Sequence, residues 1–348
     1  MRKLFLFVTL GLLSIGGAAL AYAGYRFYEG ADQSYRGYDD AAVFVDIQRG
    51  TSTREIGRQL VTAGVVRDER TFRIALWRSG RDRGLQAGEY RFSEAASARS
   101  VVDTLASGRV YLRPVTFPEG LTRGEMAQLF GQSGFGSADA FLTASERVEL
   151  VASLDPEAPN LEGYLFPETY SLAQGATADD LIEAMVAQFE RIFDERLRQQ
   201  ARERGLSVRD VVTLASLIQK ETGLDEERPI VSAVYSNRLR RQMLLQCDPT
   251  VIYGLQLAGL YDGNLTRANL GFDSPYNTYV YPGLPPGPIA APGAADLRAA
   301  LEPADVSYLY FVSRNDGSHV FADTLREHNR NVREHQVEYF RRRRATGR

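Results

Sequence analysis

Ser207-Val-Arg-Asp-Val-Val-Thr-Leu-Ala-Ser-Leu-Ile-Gln-Lys-Glu-Thr-Gly223 reads as one capped amphipathic helix, and the rest of the chain is organised around it. Ser207 and Asp210 form a capping pair at its start, and Gly223 stands where a left-handed residue ends a helix. At about 100° per residue, Val211, Leu214, Ala215 and Ile218 fall on one face. Gln219 lies about 100° to one side of Ile218, beside Val212 and Ala215. Glu221 lies on the opposite flank, beside Leu214 and Leu217, roughly 160° from Gln219. Lys220 points outward. The helix can therefore pack its apolar side while a polar residue on each flank borders a cleft.

Downstream, Pro229 starts a helix that carries Asn237 and Arg238, and Asp248 before Pro249 either serves a site or forms a plain Asp-Pro turn. Gly283 to Gly293 is a rigid Pro/Gly loop. Upstream, Thr177 and Asp180 cap a helix whose apolar face runs Leu181, Met185, Phe189, Ile192, Phe193 and Leu197. Two prolines punctuate the loop Leu154 to Asn160, and shorter helices start behind Glu119-Gly-Leu-Thr122 and at Ala138. A smaller α+β pattern precedes them: a strand at Ala42–Ile47, helices at Thr53–Ala63 and Asp68–Trp77, a strand at Ala87–Phe92, a helix at Ser97–Ser107 and a strand at Val110–Phe117. Ser52 and Glu55 open the first of these helices as an S-x-x-E box. Gly30 to Asp40, rich in Gly, Asp, Ser and Tyr, reads as a tether. The fold class is α+β, with two folded units, as a chain of 348 residues suggests.

Composition narrows the chemistry. Forty-one Lys+Arg against 44 Asp+Glu leave a net charge of −3, so no cationic field draws the chain to nucleic acid. A single cysteine, Cys247, excludes an intrachain disulfide framework, and with three histidines (His319, His328, His335) it disfavours a Cys/His zinc site. Carboxylates, hydroxyls and amides are left to carry any catalysis. At the N-terminus, Arg2 and Lys3 precede an uncharged run from Leu4 to Tyr25 that ends at Arg26. As a helix this run would span roughly 33 Å, about the thickness of a bilayer's hydrocarbon core. The reading taken is a retained single-pass anchor, with the chain after Arg26 outside the cytoplasm. A cleaved signal peptide is the competing reading, because Leu20-Ala-Tyr-Ala23 has small residues at cleavage spacing.

Several linked motifs together are specific. The segments Leu214 to Gly223, Val234-Tyr-Ser-Asn-Arg-Leu239 and Leu245-Gln-Cys-Asp-Pro-Thr-Val-Ile-Tyr-Gly254 resemble those of the endolytic murein transglycosylases, the MltG/YceG-like family. Glu162-Gly-Tyr-Leu-Phe-Pro-Glu-Thr-Tyr170, Tyr276-Asn-Thr-Tyr279, Gly283-Leu-Pro-Pro-Gly-Pro-Ile-Ala290, and Phe321 followed by His328-Asn329 extend the resemblance. It implies a bacterial inner-membrane protein with its catalytic domain in the periplasm. Such an enzyme cleaves the MurNAc–GlcNAc bond of peptidoglycan strands, leaving 1,6-anhydro-MurNAc ends, without metal or cofactor. Nascent strands would be the substrate, beside the peptidoglycan synthases. The expected layout is a cytoplasmic tip and anchor (1–26), a tether (27–40), a LysM-like α+β module (41–118), a YceG-like catalytic domain (119–340) and a basic tail (341–348). The LysM-like module either binds glycan or only spaces the membrane from the catalytic part.

The reaction asks for a proton donor to the departing glycosidic oxygen and an acceptor for the muramic C6 hydroxyl proton. One carboxyl group can serve as both in turn. The family pattern reads Glu-Lys-Glu-Thr, with the first Glu as acid/base, and in this chain that position is Gln219. An amide is nearly isosteric with a carboxyl and cannot deliver a proton. Two accounts follow: an inactivated form of an active enzyme, or a glycan-binding protein that keeps the groove. Glu221 as a substitute acid is a third, opposed by its place on the other flank. A hydrolase would need a second carboxylate to activate water, with Glu162, Glu168 and Asp248 as candidates. For substrate binding, Glu162 and Glu168 flank an aromatic segment that could hold sugar rings against Tyr164, Phe166 and Tyr170, the alternative being a buried aromatic loop with exposed acids. Glu221, Asn237, Arg238, Gln246, Asp248, Tyr276, Asn277, Thr278 and Tyr279 complete the expected set. Cys247 reads as a small buried residue, and His319 and His328 as structural.

Overall fold

The computed structural model describes residues 2–81 and 84–341, the side chains of 2–10, 20, 23 and 27 excepted. The chain divides into two compact units, Met1–Arg113 with Ser171–Gly175, and Pro114–Tyr170 with Ala176–Arg348. The sequence reading set the boundary a few residues later, at 118.

In the first unit, α1 (Arg2–Gly30) leads into β1 (Ser34–Tyr35), β2 (Val43–Ile47), α2 (Thr53–Thr62), α3 (Glu69–Ser79), β3 (Gly88–Phe92), β4 (Ala96–Ser97) and α4 (Ala98–Ala106). Strands β2 and β3 pair antiparallel, with Val45 opposite Tyr90. Their inward side chains and the apolar faces of α2, α3 and α4 bury one core, which includes Ile47, Leu60, Phe72, Tyr90 and Val101. The Tyr90 hydroxyl sits in that core because it donates to the Gln86 carbonyl at 2.8 Å, which removes the cost of burying it. The segment expected as a free tether is folded: β1 pairs with β4, and Ala31 is fully buried. Composition hid this, because two strand residues are too few to show a period. Helix α1 covers the run expected as a membrane anchor, although part of Leu4–Tyr25 falls outside the described side chains. Among the described residues no helix is long and apolar enough to cross a membrane. The basic tail from 342 onward is also outside the described residues.

The chain continues through β5 (Leu112–Thr116), α5 (Arg123–Ser133), α6 (Ala138–Ala144), β6 (Thr169–Ala173), α7 (Ala178–Ile192), α8 (Glu195–Glu203) and α9 (Val208–Glu221). After α9 come α10 (Arg228–Arg240), α11 (Asp248–Leu257), α12 (Ala294–Leu301), β7 (Tyr310–Ser313), β8 (His319–Ala322) and α13 (Leu325–Val332). Strands β5 and β6 pair, as do β7 and β8, the latter antiparallel with Ser313 opposite His319. Helices α5, α7 and α9 each start with the reciprocal capping box that their sequences carry, at Thr122/Glu125, Thr177/Asp180 and Ser207/Asp210. The single long helix read from Leu181 to Leu197 is two. Asp194 accepts the Leu197 amide at 3.1 Å and starts α8, so a local cap overrides a continuous apolar stripe.

The second unit is built around α9. From Val211 to Ile218 every residue of it is buried. It packs against α12, α10, α11 and α8, and Ser216 Oγ accepts the Ile289 amide at 3.1 Å, which ties the Pro/Gly loop to its back. Gly163, at φ +79°, presses against the same helix. A Cβ there would come within 2.5 Å of Pro288 and 2.9 Å of Val212, so only glycine lets the Glu162–Tyr170 segment approach. Arg228 and Asp296 form a buried ion pair at 2.8 Å that joins α10 to α12.

Candidate active site

The end of α9 sets the geometry of the site. The helix stops at Glu221 because Thr222 turns extended (φ −138°, ψ 137°). Gly223 does not provide the left-handed cap that its position suggests. The Thr222 hydroxyl instead donates to Glu227 at 3.1 Å and accepts the Leu224 amide at 3.1 Å. The last turn thus presents Gln219 and Glu221 in different directions, and their surroundings differ.

Gln219 meets the turn at Gly120. A Cβ on Gly120 would lie 3.4 Å from Gln219 Nε2, and the neighbouring Lys220 Nζ donates to the Gly120 carbonyl at 3.1 Å. The Gln219 Oε1 atom is buried without a hydrogen-bond partner. The amide now there carries no transferable proton.

Glu221 opens on the other flank into a cleft of about 440 Å³, bordered also by Arg238, Gln246, Asp248, Tyr279 and His319. Burial pushes its carboxyl above the ordinary glutamate range, against the pull of hydrogen bonds from the Cys247 thiol and the Tyr235 hydroxyl; the latter donates to Oε1 at 2.8 Å. Burial also pushes the Cys247 thiol well up, so this cysteine is a proton-bearing neighbour and not a nucleophile. Arg238 is held by the carbonyls of Leu309 (2.6 Å from Nε) and Leu245 (2.9 Å from Nη1), and donates to Gln246 Oε1 at 3.2 Å. Gln246 adopts φ +53°, a left-handed conformation that a side-chain-bearing residue rarely takes. Its amide donates to the Thr278 carbonyl at 3.1 Å, and that bond with the Arg238 contact holds the strained residue at the cleft wall. Asp248 is the first residue of α11, not part of a simple turn. The Tyr279 hydroxyl donates to Asp248 Oδ1 at 2.5 Å.

The YceG-like family model matches residues 45–334. This chain belongs to that family. A Bacillus subtilis protein named endolytic murein transglycosylase is 32% identical over 334 residues, covering 91% of this chain and 90% of its own length. A Streptococcus pneumoniae protein of the same name is 30% identical over 361 residues, covering 94% of this chain and 64% of its own length. The crystal structure of a putative yceG-like protein from Listeria monocytogenes aligns with a TM-score of 0.56 at 31% identity, covering 84% of this chain and 99% of that one.

The YceG-like motifs do not all meet at the cleft. Tyr164 is 1% exposed, with its ring edge-on against Phe189 and its hydroxyl donating to Asp155 at 2.6 Å. It has no face open to a sugar, so its expected stacking role gives way to a core role. Tyr170 likewise packs on Phe117 and donates to the Phe166 carbonyl. Glu162 is buried and accepts the Arg123 amide at 2.9 and 3.1 Å and the Tyr253 hydroxyl at 3.1 Å, anchoring the start of α5 to α11. Burial pushes its carboxyl up to about 7. Glu168 is exposed, and its carbonyl accepts the Phe117 amide. Tyr276 packs its ring against Tyr253 at 4.8 Å.

Asn277 and Thr278 are buried and build the loop behind the cleft wall. Asn277 Nδ2 donates to the carbonyls of Leu270 and Phe272, and Thr278 Oγ1 accepts the Cys247 amide at 3.0 Å. Asn237 Nδ2 donates to the carbonyls of Val306 and Tyr308, both at 2.9 Å, which fixes the approach to β7. It borders a separate cavity of about 730 Å³ with Arg240, Asp305 and Asp323. From the expected set, Glu221, Arg238, Gln246, Asp248 and Tyr279 converge on one cleft. Asn277 and Thr278 build the loop behind the wall, while Glu162 and Tyr164 are held in the core and Asn237 borders the separate cavity. Sequence reading missed that His319 joins the cleft, held by Glu227. No local signal marks the pair, because 92 residues separate its members. Among the described residues, no group of three or more His, Cys, Asp and Glu side chains is arranged to hold a metal ion.

Proposed function

We propose that this chain is an endolytic lytic transglycosylase of peptidoglycan, attenuated by Gln219. The observation that carries the reading is the cleft beside α9, where a half-buried carboxyl, a guanidinium, a strained glutamine and an aspartate–tyrosine pair meet in a YceG-like chain. A polar cleft of this kind suits the hydroxyl and N-acetyl groups of a sugar. Cleavage breaks the MurNAc C1–O4 bond as the C6 hydroxyl closes on C1, so no water is consumed and an anhydro end remains. At the family's acid/base position the amide of Gln219 forfeits roughly 10²–10⁴-fold in rate. The Leu4–Tyr25 run, with Arg2 and Lys3 before it, serves as a single-pass anchor that holds the catalytic unit in the periplasm, close to nascent strands and their synthases. The LysM-like module would steer the strand.

Uncrosslinked glycan strands incubated with the purified full chain, followed by mass spectrometry of the ends, test this reading. Slow release of anhydro ends, speeded by Gln219→Glu, is the expected result. Reducing ends would instead mean hydrolysis, a reading favoured by Asp248, whose exposed carboxylate shares the cleft with Glu221. Strand binding with no product from either chain would mean a glycan-binding scaffold.

A further inference from the structure

We propose that Glu221 and His319 form a second proton-transfer pair, independent of position 219, and that it performs the strand cleavage left to this chain. The inference rests on the transglycosylase reading above.

His319 opens β8, and Glu227 holds it from two sides. The carboxylate accepts the His319 backbone amide at 2.7 Å, contacts Nδ1 at 2.7 Å, and accepts the Thr222 hydroxyl at 3.1 Å. In the neutral ring with its Nδ1–H turned to this carboxylate, Nε2 is the acceptor. The ring is also set edge-on against Phe311, with centroids 5.4 Å apart and planes at 88°. His319 borders the same cleft as Glu221. Packing alone does not explain the arrangement. A phenylalanine would fill the space without the desolvation cost of burying the Glu227 carboxyl beside an imidazole. A histidine aimed by a carboxylate is the arrangement used to move a proton.

Glu221 supplies the complementary group. Its burial favours the protonated acid, and the Tyr235 hydroxyl orients it. Arg238, Asp248 and His328 are the other charged or titratable groups on the cleft wall besides Tyr279. The step balances. The Glu221 proton goes to the leaving O4 as the C1–O4 bond breaks, the C6 oxygen bonds to C1, and its proton passes to His319 Nε2. Solvent returns that proton from the imidazolium to the Glu221 carboxylate. Nothing is oxidised or reduced, and Glu227 acts only as a positioning residue.

The test uses the full chain with Gln219 in place, long incubations with uncrosslinked glycan strands, and a count of anhydro ends. Glu221→Gln and His319→Asn should each lower the rate at least about tenfold, while strand affinity changes by less than about threefold. Glu227→Gln should lower it too, with Glu227→Asp retaining more than Glu227→Gln. The residual rate should fall as pH rises through the raised pKa of Glu221, because the acid must be protonated, and Glu221→Gln should remove that limb. If Glu221→Gln fails to fold, His319→Asn and the pH profile still decide. If Gln219→Glu releases anhydro ends while the present chain releases none, or if neither variant slows the present chain, the pair is not catalytic and the transglycosylase reading stands. If neither chain binds strands, the reading of function itself falls.

Discussion

The two flanks of α9 carry polar side chains two residues apart, in opposite environments. Gln219 meets the Gly120 turn and leaves its carbonyl oxygen buried without a donor. Glu221 meets the Tyr235 hydroxyl and opens on a cleft bordered by Arg238 and Asp248. Position 219 carries a neutral amide, and burial favours the neutral form of Glu221. The difference lies in what a proton could reach. A carboxyl at 219 would have been poised but is absent, and the one at 221 is present among groups suited to a sugar. A position inherited from a family and a position equipped by its neighbours are therefore separate facts about one helix.

The largest expected effect comes from exchanging the two. Gln219→Glu should raise the rate of anhydro-end release by roughly 10²–10⁴-fold, the size of one general acid/base. Product analysis by mass spectrometry reads it. An unchanged rate would mean that the Gly120 flank takes no part in the chemistry, and the comparison would collapse onto the Glu221 side.

The next largest effect concerns stability and separates core from cleft among the expected aromatic residues. Tyr164→Ala removes a ring that is 1% exposed and leaves Asp155 with only Arg209 as its side-chain partner. A loss of about 3–5 kcal/mol is expected, from the cavity and the lost hydrogen bond together. Chemical denaturation measures it, and strand affinity of the folded fraction should not change. A stability loss near zero with weakened strand binding would return Tyr164 to the cleft.

A smaller effect concerns pH. Glu162 titrates at about 7 in the folded chain against a reference value of 4.5. Because the folded value is the higher one, its stabilising contribution is complete below 4.5 and is lost as pH rises through about 7. The shift corresponds to about 3 kcal/mol at most. The melting temperature of the native chain should therefore fall from about pH 5 to about pH 9 more steeply than that of Glu162→Gln. Equal slopes would show that the bonds from Arg123 and Tyr253 outweigh burial and keep the carboxyl ionised.

Most of the local structure was legible in the sequence, and most of the site's assembly was not. Ser207/Asp210, Thr177/Asp180 and the strand at Ala42–Ile47 depend on neighbours within a few residues, and the structure forms each close to where the sequence places it. The errors arose where two local signals competed. Asp194 broke an apolar stripe, Thr222 displaced Gly223 as the helix stop, and Asp248-Pro249 opened a helix instead of a turn. At the site, residue types pointed correctly to polar and aromatic groups, but depth depends on long-range packing. Nothing in Glu162-Gly-Tyr-Leu-Phe says that Tyr164 faces Phe189 and not a sugar. Nor does the spacing of Glu227 and His319 hint that a strand brings them together.

The smallest expected effect tests whether Tyr279 belongs to the cleft as a binding group. Its ring is half-buried, and its hydroxyl donates to Asp248 at the start of α11. That bond and burial both hold the phenol above its ordinary pKa, so at neutral pH it remains a donor. Tyr279→Ala should weaken binding of uncrosslinked strands about tenfold, or about 1.4 kcal/mol, by removing a stacking face and freeing Asp248 to turn toward solvent. Tyr279→Phe should keep the face and lose only the bond, for a change of about threefold or less. Because the backbone here is held by Asn277 Oδ1, which accepts the Tyr279 amide at 2.9 Å, neither change should unfold the loop. Calorimetric titration with strands, paired with melting curves, separates the outcomes. If Tyr279→Ala lowers the melting temperature by several degrees and leaves affinity intact, the ring is packing like that of Tyr164, and the cleft loses its aromatic wall.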